Sequence, residues 1–203
     1  MNKRHAVSIA IAAAAALLLA APGFAALEKG AAAPDFTAQA SLAGKAFTFS
    51  LKDALKKGPV VVYFYPAAYT GGCDLEAHTF ASQKDKFDAA GATIIGVSAD
   101  SIQRLDDFSS DPKYCAGKFP VASDADGKIA ASYGLKLIPP QPDVTDVRGQ
   151  KVDHGFIPRT TFVISKDGKV VTEFSSSADH LKPDEHVAKS LAIVQQMQAG
   201  KTP

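Results

Sequence analysis

Four short stretches of the chain have the hydrophobic pattern of β-strands. The continuous apolar run VVVYFY at 60–65 is typical of a strand buried on both faces, as in the middle of a parallel sheet. The run ATIIGVS at 92–98 predicts a second buried strand, and 119–122 predicts a shorter one. Residues 47–50, which precede these runs, predict another short strand. The two long apolar runs are therefore expected in the middle of a sheet.

Apolar residues at helical spacing predict helices between and after these strands. The pattern of Cys73, Ala77, Phe80 and Phe87 predicts a helix over 73–90, with the thiol at the exposed end of the inward-facing stripe. Further helices, marked by start or stop signals such as a capping serine, a proline or a glycine, are predicted over 51–58, 101–109, 128–133 and 183–199.

The last third of the chain predicts a hairpin and a long loop. The turn signal KDG at 166–168 separates two strand-like runs, 160–165 and 169–175. The proline-rich stretch 136–158 has no regular pattern, and such a stretch inside a compact domain is usually functional or mobile. The order of strand, helix, strand, helix, strand, hairpin and helix predicts an α/β fold, with a central mixed sheet flanked by helices.

The N-terminus has the three-part pattern of a secretory signal peptide. Basic residues at 3–5 precede an apolar run over 6–21, and small residues lead up to Ala25. The apolar run is shorter than the ~20 residues that cross a bilayer comfortably, so we expect cleavage after Ala25 rather than an uncleaved membrane anchor. The expected organisation is a signal peptide at 1–25 and a single domain at 26–203, released in the periplasm without a membrane attachment.

Charge and cysteine content narrow the functional classes. The chain has 22 basic and 21 acidic residues without a basic run, so nucleic acid is not an expected partner. The two cysteines, Cys73 and Cys115, could form a structural disulfide in an exported chain. No histidine lies at zinc-ligand spacing from a cysteine and there is no C-x-x-C, so we expect no metal site.

One segment resembles a known active site. The stretch YFYPAAYTGGCDLEA contains Pro66, Thr70 and Cys73 in the spacing Pro-x-x-x-Thr-x-x-Cys, and Glu76 follows three residues later. This segment is similar to the active-site segment of peroxiredoxins, in particular the PrxQ or bacterioferritin comigratory protein group. Glu76 matches a residue common in that group. The resemblance implies a thioredoxin-like fold.

Other segments resemble the same family in the same order along the chain. They are AAPDFTA, GVSADS, FPVASDADGKIAASYG and PRTTFVISKDGKV. The last of them contains Arg159, which matches the second active-site residue of the family. Two departures stand out: Gly71-Gly72 replaces the more frequent Pro-Gly, and the segment between Gly134 and Arg159 is longer than usual in the group.

The resemblance implies a role for each of these residues, and the chemistry suits those roles. Cys73 would be the peroxidatic cysteine, because a thiolate is the nucleophile that attacks an O–O bond and a helix start favours an anion. Arg159 would add a fixed positive charge, and both effects predict a lowered pKa for Cys73. Thr70 would donate a hydrogen bond to the sulfur or the peroxide, Pro66 would shield the thiolate, and Glu76 would support the site.

Some of these residues have simpler interpretations that the sequence leaves open. Thr70 could be only a helix cap, and Glu76 only an acidic residue in a first helical turn. Arg148, in the long loop, is an alternative to Arg159. Cys115 is expected to resolve the sulfenic acid of Cys73 as an intramolecular disulfide, a role that the resemblance permits by region rather than by spacing.

The expected activity is reduction of hydrogen peroxide and small organic hydroperoxides, without a cofactor. A thioredoxin-like dithiol donor would recycle the disulfide, and we expect a monomer. One alternative is a thiol–disulfide oxidoreductase of the same fold, although C-x-x-C is missing. The other is a non-catalytic exported binding protein in which Cys73 and Cys115 form a permanent structural disulfide.

Overall fold

The structure is a computed structural model that describes residues 27–201. The predicted signal peptide and its cleavage site after Ala25 lie outside the described residues. The described chain forms these elements in order: β1 (Thr37–Leu42), β2 (Lys45–Ser50), α1 (Leu51–Leu55), β3 (Val60–Phe64), α2 (Gly71–Ala89), β4 (Thr93–Ser98), α3 (Ile102–Ser110), β5 (Val121–Ser123), α4 (Lys128–Ser132), β6 (Thr160–Ile164), β7 (Val170–Ser175), α5 (Ser176–Asp179) and α6 (Pro183–Gln198).

The strands form one mixed sheet in the order β2-β1-β5-β4-β3-β6-β7. β3 and β4 are parallel, as are β4 and β5, whereas β6 runs antiparallel to β3 and pairs with β7 as a hairpin. The predicted α/β fold with a central mixed sheet is confirmed. β1 was not predicted, because its sequence TAQASL alternates only small and polar side chains and gives a weak hydrophobic signal. The four-residue helix α5 was also missed.

Helices cover both faces of the sheet and give the molecule two hydrophobic clusters. Along β3, Val61 and Tyr63 pack into the cluster beneath α2, α3 and α6, while Val60, Val62 and Phe64 pack into the cluster beneath α1 and α4. This alternation follows from the period of two in a strand. All five β3 side chains are buried, which explains why the run reads as continuously apolar.

Strand pairing brings together two segments that are distant in sequence, at the end of β3 and the start of β6. β3 ends at Phe64, and α2 begins after a short loop at Gly71. Phe64 pairs with Thr160, the first residue of the antiparallel β6. The residue before β6 is Arg159, so its side chain starts beside the end of β3 and the loop that leads into α2.

The long loop between α4 and β6 is held by short local pairings. Ile138 pairs with Phe156, and Thr145 pairs with Lys151, each as an isolated bridge. The prediction that 136–158 contains no helix or strand agrees with the structure. No helix within 27–201 has the length and apolar character that crossing a bilayer requires.

Candidate active site

Cys73 lies in the first turn of α2 and is almost completely buried. Its thiol is the third residue of the helix, after Gly71 and Gly72, and its exposed fraction is 2%. A helix start presents backbone N–H groups that have no partner within the helix, and these groups favour an anion. A Cβ atom at Gly72 would lie 3.3 Å from Nη2 of Arg159, so the glycine allows the guanidinium to approach the helix closely.

Arg159 connects the thiol to a buried carboxyl group. Its Nη2 donates a hydrogen bond to Sγ of Cys73 over 3.1 Å. Its Nη1 donates to Oε2 of Glu76, whose side chain is fully buried one helical turn after Cys73. The other carboxyl oxygen, Oε1, is buried and accepts no hydrogen bond from the residues that the structure describes. One guanidinium therefore serves two acidic groups in a site that excludes water.

The pKa of Cys73 differs from the sequence-based prediction. Burial raises the pKa of the thiol above its ordinary value, while Arg159, the backbone of Ala67 and the side chain of Thr70 lower it. The predicted depression of the Cys73 pKa is therefore wrong for this closed structure, because burial outweighs the groups that stabilise the thiolate. Sequence showed the helix start and the arginine, but it did not show how completely the thiol is enclosed.

An ionised Glu76 raises the pKa of Cys73 further, so the protonation state of Glu76 matters for the thiol. Burial raises the pKa of its carboxyl group to about 8, although Arg159 opposes the shift. Near neutral pH the carboxyl group therefore retains its proton, and the charge of Arg159 remains available to Cys73. A buried cation with a single anionic partner costs less to desolvate than one flanked by two full negative charges. The arrangement thus favours the Cys73 thiolate while Glu76 is neutral.

Thr70 and Pro66 frame the loop that leads into α2. Thr70 is the residue before the helix, but its hydroxyl does not cap the helix and instead donates to the carbonyl of Ala67 over 2.8 Å. The hydroxyl is also among the groups that lower the pKa of Cys73. Pro66 follows β3 and is half-buried. Thr70 therefore occupies the N-cap position of α2, but its side chain does not make the capping hydrogen bond.

Cys115 is also enclosed, on the same side of the sheet as Cys73. It follows α3, which ends at Ser110, close to the predicted end of this helix at residue 109. Both cysteines are free thiols, and both belong to the cluster beneath α2, α3 and α6. Burial raises the pKa of Cys115 strongly, and Asp111 and Asp74 raise it further. Cys115 is therefore a protonated, shielded thiol in this structure.

Four tyrosines surround the two thiols. Tyr63 and Tyr65 stack at 5.4 Å between ring centroids within the cluster that contains both cysteines. Tyr69 and Tyr114 meet edge to face at 5.4 Å. Tyr69 precedes Thr70 and Tyr114 precedes Cys115, so this ring contact joins the segments that carry the two thiols.

Sequence reasoning missed Asp100, which holds the loop before α2. Its Oδ2 accepts the backbone N–H of Ala68 over 2.8 Å, and its Oδ1 lies 2.9 Å from Nε of Arg104 and 2.8 Å from Nε2 of His154. A signal was present: Asp100 follows the buried strand β4, and carboxyl ends of parallel strands commonly carry functional groups. His154 gave no signal, because its partner is distant in sequence.

Two further residues near the site are Arg148, which the sequence offered as a candidate, and His186, which it did not. The guanidinium of Arg148, the alternative to Arg159, contacts Asp146, Gln150 and Tyr69, whereas that of Arg159 contacts the sulfur. His186 on α6 is buried between the hydroxyls of Thr161 at 3.0 Å and Ser176 at 2.9 Å. Burial and Arg159 lower its pKa to about 4, so it is neutral.

The same neighbourhood supports Arg159 from behind. The backbone N–H of Ser176 donates to the carbonyl oxygen of Arg159 over 3.1 Å, and Thr161 lies two residues further along the chain. His186 bridges both of these residues through its ring nitrogens. Within 27–201, no group of three His, Cys, Asp or Glu side chains is arranged to hold a metal ion.

The sequence of this chain is similar to those of a known protein family. Residues 29–173 match the model of the AhpC/TSA family. A putative peroxiredoxin of Mycobacterium tuberculosis is 34% identical over 146 residues, which are 72% of this chain and 84% of that protein. Peroxiredoxin Q from the chloroplast of Oryza sativa subsp. japonica is 32% identical over 172 residues, which are 84% of this chain and 68% of that protein.

Solved structures give the same result. The crystal structure of peroxidoxin BcpB from Mycobacterium tuberculosis matches with a TM-score of 0.68 at 29% identity, covering 84% of this chain and 98% of that one. Peroxiredoxin Q of Xanthomonas campestris matches with a TM-score of 0.60 at 31% identity, covering 78% of this chain and 90% of that one.

Proposed function

Because this chain belongs to the AhpC/TSA family and is a thiol peroxidase of the peroxiredoxin type, we propose that Cys73 is the residue that attacks the hydroperoxide. The observation that supports this assignment is the contact of 3.1 Å between Arg159 and the Cys73 sulfur at a helix start. The thiolate is the reactive form of cysteine, and a guanidinium beside it remains charged at every physiological pH.

The first step converts the thiolate to a sulfenic acid. The Cys73 thiolate attacks one oxygen of ROOH, the O–O bond breaks, and RO⁻ leaves with the bonding electron pair and takes up a proton as ROH. Arg159, which contacts the sulfur, would stabilise charge that moves from sulfur to the leaving oxygen. The Thr70 hydroxyl, which lowers the pKa of Cys73, would assist it. Glu76, with its pKa of about 8, is a proton source within the same cluster.

The second step forms a disulfide and consumes the sulfenic acid. The Cys115 thiol attacks the sulfur of Cys73, water leaves, and a Cys73–Cys115 disulfide forms. An external dithiol of the thioredoxin type then reduces this disulfide and becomes oxidised itself. Both thiols are buried, so the second step requires a rearrangement of at least one of the two segments.

The location and assembly of the enzyme are part of the same proposal. Export by residues 1–25, cleavage after Ala25 and action in the periplasm are supported by the sequence pattern at the N-terminus. The proposed active form is a monomer. A periplasmic peroxidase would draw electrons from a dithiol donor of that compartment. Hydrogen peroxide and small organic hydroperoxides would be its substrates.

The decisive experiment compares peroxide consumption by three forms of the protein with dithiothreitol as reductant. The wild type should turn over repeatedly, and Cys73→Ser should show no activity above buffer. Cys115→Ser should retain one rapid turnover in the absence of dithiothreitol, because only resolution is removed. Equal peroxide consumption by wild type and Cys73→Ser would contradict the assignment. Reduction of a model peptide disulfide without peroxidase activity would favour an oxidoreductase instead.

A further inference from the structure

The long loop after α4 contains a tight turn that is built around one buried carboxylate. Oδ1 of Asp146 accepts the backbone N–H groups of Arg148 at 2.8 Å and of Gln150 at 2.9 Å. Oδ2 accepts Nε and Nη2 of Arg148 at 3.1 and 2.9 Å. The Asp146 side chain is fully buried although the turn lies on a surface loop. The turn is therefore a pre-formed unit that fixes the direction of the Arg148 guanidinium.

This turn contacts the loop that leads into α2. The Arg148 guanidinium lies 3.3 Å above the ring centroid of Tyr69, and the backbone N–H of Val147 donates to the Tyr69 carbonyl over 2.9 Å. The second contact to Asp146 comes from Arg104, whose Nη2 lies 2.8 Å from its Oδ2 and also donates to the carbonyl of Ala68 at 2.8 Å. Ala68 is thus held through its backbone, and Tyr69 through both its backbone carbonyl and its ring.

Tyr69 has a backbone that needs such support. Its φ is +61°, in the left-handed region that non-glycine residues rarely occupy and that costs of order 1 kcal/mol or more. The next residue is Thr70, and Cys73 follows in the first helical turn. The conformation of Tyr69 therefore sets the direction in which Thr70 and the start of α2 leave the loop.

The ring of Tyr69 also contacts the segment of the second thiol. It packs edge to face against Phe108 on α3 at 5.0 Å and against Tyr114 at 5.4 Å. Tyr114 is the neighbour of Cys115. A disulfide requires two Cα atoms within ~7 Å and a specific dihedral angle, and neither thiol is bonded in this structure. A movement that brings Cys115 to Cys73 would therefore shift at least one of the two segments that this ring contact joins.

We propose that Asp146 and Arg148 are positioning residues that act through Tyr69 and favour the first step of the reaction over the second. They hold the loop 66–70 in its closed conformation while peroxide reacts. The contacts between this turn and Tyr69 must break before Cys115 reaches Cys73. This proposal rests on the proposed peroxidase function. It assigns a task to the segment that is longer than usual for the group, and it gives Arg148 a task different from that of Arg159.

The rates of sulfenic acid formation and of disulfide formation should change in opposite directions when the contacts of Arg148 with Tyr69 are removed. In Arg148→Ala the rate of sulfenic acid formation should fall by up to about tenfold, because the lost stacking and ion pair no longer favour the closed loop. The rate of disulfide formation should rise by a similar factor. Sulfinic acid at high peroxide should decrease, because it forms when Cys73–SOH meets a second ROOH, releasing ROH, before Cys115 attacks.

Rapid quenching followed by alkylation and mass spectrometry measures the sulfenic acid, the disulfide and the sulfinic acid in one experiment. Tyr69→Phe keeps the ring and should behave like the wild type, whereas Arg148→Lys keeps the charge without the planar fork and should lie between wild type and Arg148→Ala. Lys151→Ala removes an exposed cation from the same turn and serves as the matched control, with both rates unchanged. The melting temperature of each variant identifies those that no longer fold.

The outcomes separate this proposal from the function on which it rests. A wild type that forms no sulfenic acid with peroxide would overturn the peroxidase itself. A wild type that reacts normally, with a folded Arg148→Ala in which both rates are unchanged or fall together, would overturn the positioning role. Opposite changes in the two rates support it, because a loss of stability alone does not accelerate one step while slowing the other.

Discussion

Nη2 of Arg159 donates to Sγ of Cys73 over 3.1 Å, although 86 positions separate the two residues in the sequence. The contact exists because Thr160 pairs with Phe64 in adjacent antiparallel strands, which places the start of β6 beside the end of β3. The core of the proposed active site therefore depends on strand register. A slip of one residue in β6 would turn Arg159 away from the thiol.

Arg159→Lys should lower peroxidase activity despite conserving charge. A planar guanidinium reaches both Cys73 and Glu76, whereas a single ammonium group cannot donate in the same fork. The rate of sulfenic acid formation should fall about 10- to 100-fold, which corresponds to the loss of one hydrogen bond to a charged group. Stopped-flow peroxide consumption checks this. A near wild-type rate in Arg159→Lys, with activity abolished in Arg148→Lys, would show that the wrong arginine was assigned.

Glu76→Gln should change the reactivity of Cys73 only at high pH. Below about pH 8 the wild-type carboxyl group holds its proton and resembles an amide, so alkylation rates should be similar. Above that pH the wild-type carboxylate ionises and raises the pKa of Cys73, so Glu76→Gln should react faster. Alkylation rate against pH on a Cys115→Ser background measures the difference. Glu173→Gln on β7 is the control, and identical profiles for Glu76→Gln and wild type would contradict the charge coupling.

One equivalent of peroxide should produce an intramolecular Cys73–Cys115 disulfide in the wild type. Peptide mapping identifies the linked peptides, and Cys115→Ser should instead accumulate a sulfenic acid at Cys73 that a dimedone label captures. The chain contains two cysteines, so other intramolecular pairings do not arise. A dimer linked through Cys73 alone, or a Cys115 that is still alkylated after oxidation, would exclude the resolving role.

His186 should make the fold less stable in acid. Its pKa is about 4 in the folded chain, below the value of about 6.5 for a free histidine. The unfolded chain therefore binds more protons between these values, and the unfolding equilibrium should shift towards unfolding by up to about tenfold per pH unit as the pH falls. Urea unfolding at pH 7 and pH 5 measures the effect as the difference between wild type and His186→Gln.

Buried carboxyl groups change the pH dependence of stability in the direction opposite to His186. The raised pKa values of Asp74 and Glu76 make the folded chain bind protons more tightly, which favours folding on acidification. The comparison with His186→Gln removes this background, because both proteins contain these acids. His180→Gln changes an exposed histidine of the same region and should leave the pH dependence unaltered. Equal pH dependence in wild type and His186→Gln would contradict the assignment.

The exported protein should have the mass of a chain that begins at residue 26. Small residues before Ala25 and the short apolar run favour cleavage over anchoring. Expression of the full sequence in a Gram-negative host, followed by fractionation and intact-mass measurement, tests this. A chain that retains residues 1–25 in the membrane fraction would contradict the prediction, and a variant with Ala25→Arg should block cleavage and act as the control.

The sequence predicted most elements of the sheet because their signals are local. Runs such as VVVYFY and the KDG turn specify strand and hairpin without knowledge of their neighbours. β1 escaped because its small and polar residues become a strand only through pairing with β2 and β5. The proposed active-site residues Cys73 and Arg159 were identified through the resemblance, and the pairing of strands then explains why they meet.

Two properties of the site could not be predicted, because they depend on three-dimensional enclosure. The direction of the Cys73 pKa reverses when burial is included, and no local pattern reports that the thiol is 2% exposed. The contacts of Asp100 join positions 32 and 54 residues apart, to Ala68 and His154 respectively. Such pairings follow from the paths of the loop before α2 and of the long loop, neither of which has a periodic pattern to interpret.

The tyrosines around the two thiols give the protein an optical property of its own. The sequence has five tyrosines and no tryptophan, so its near-ultraviolet absorption and emission come mainly from phenol rings. Four of the five, Tyr63, Tyr65, Tyr69 and Tyr114, lie in or against the hydrophobic cluster that holds Cys73 and Cys115. A change of charge, bonding or packing at either sulfur is therefore expected to alter tyrosine absorption or emission, so the proposed cycle should be observable in the unlabelled chain.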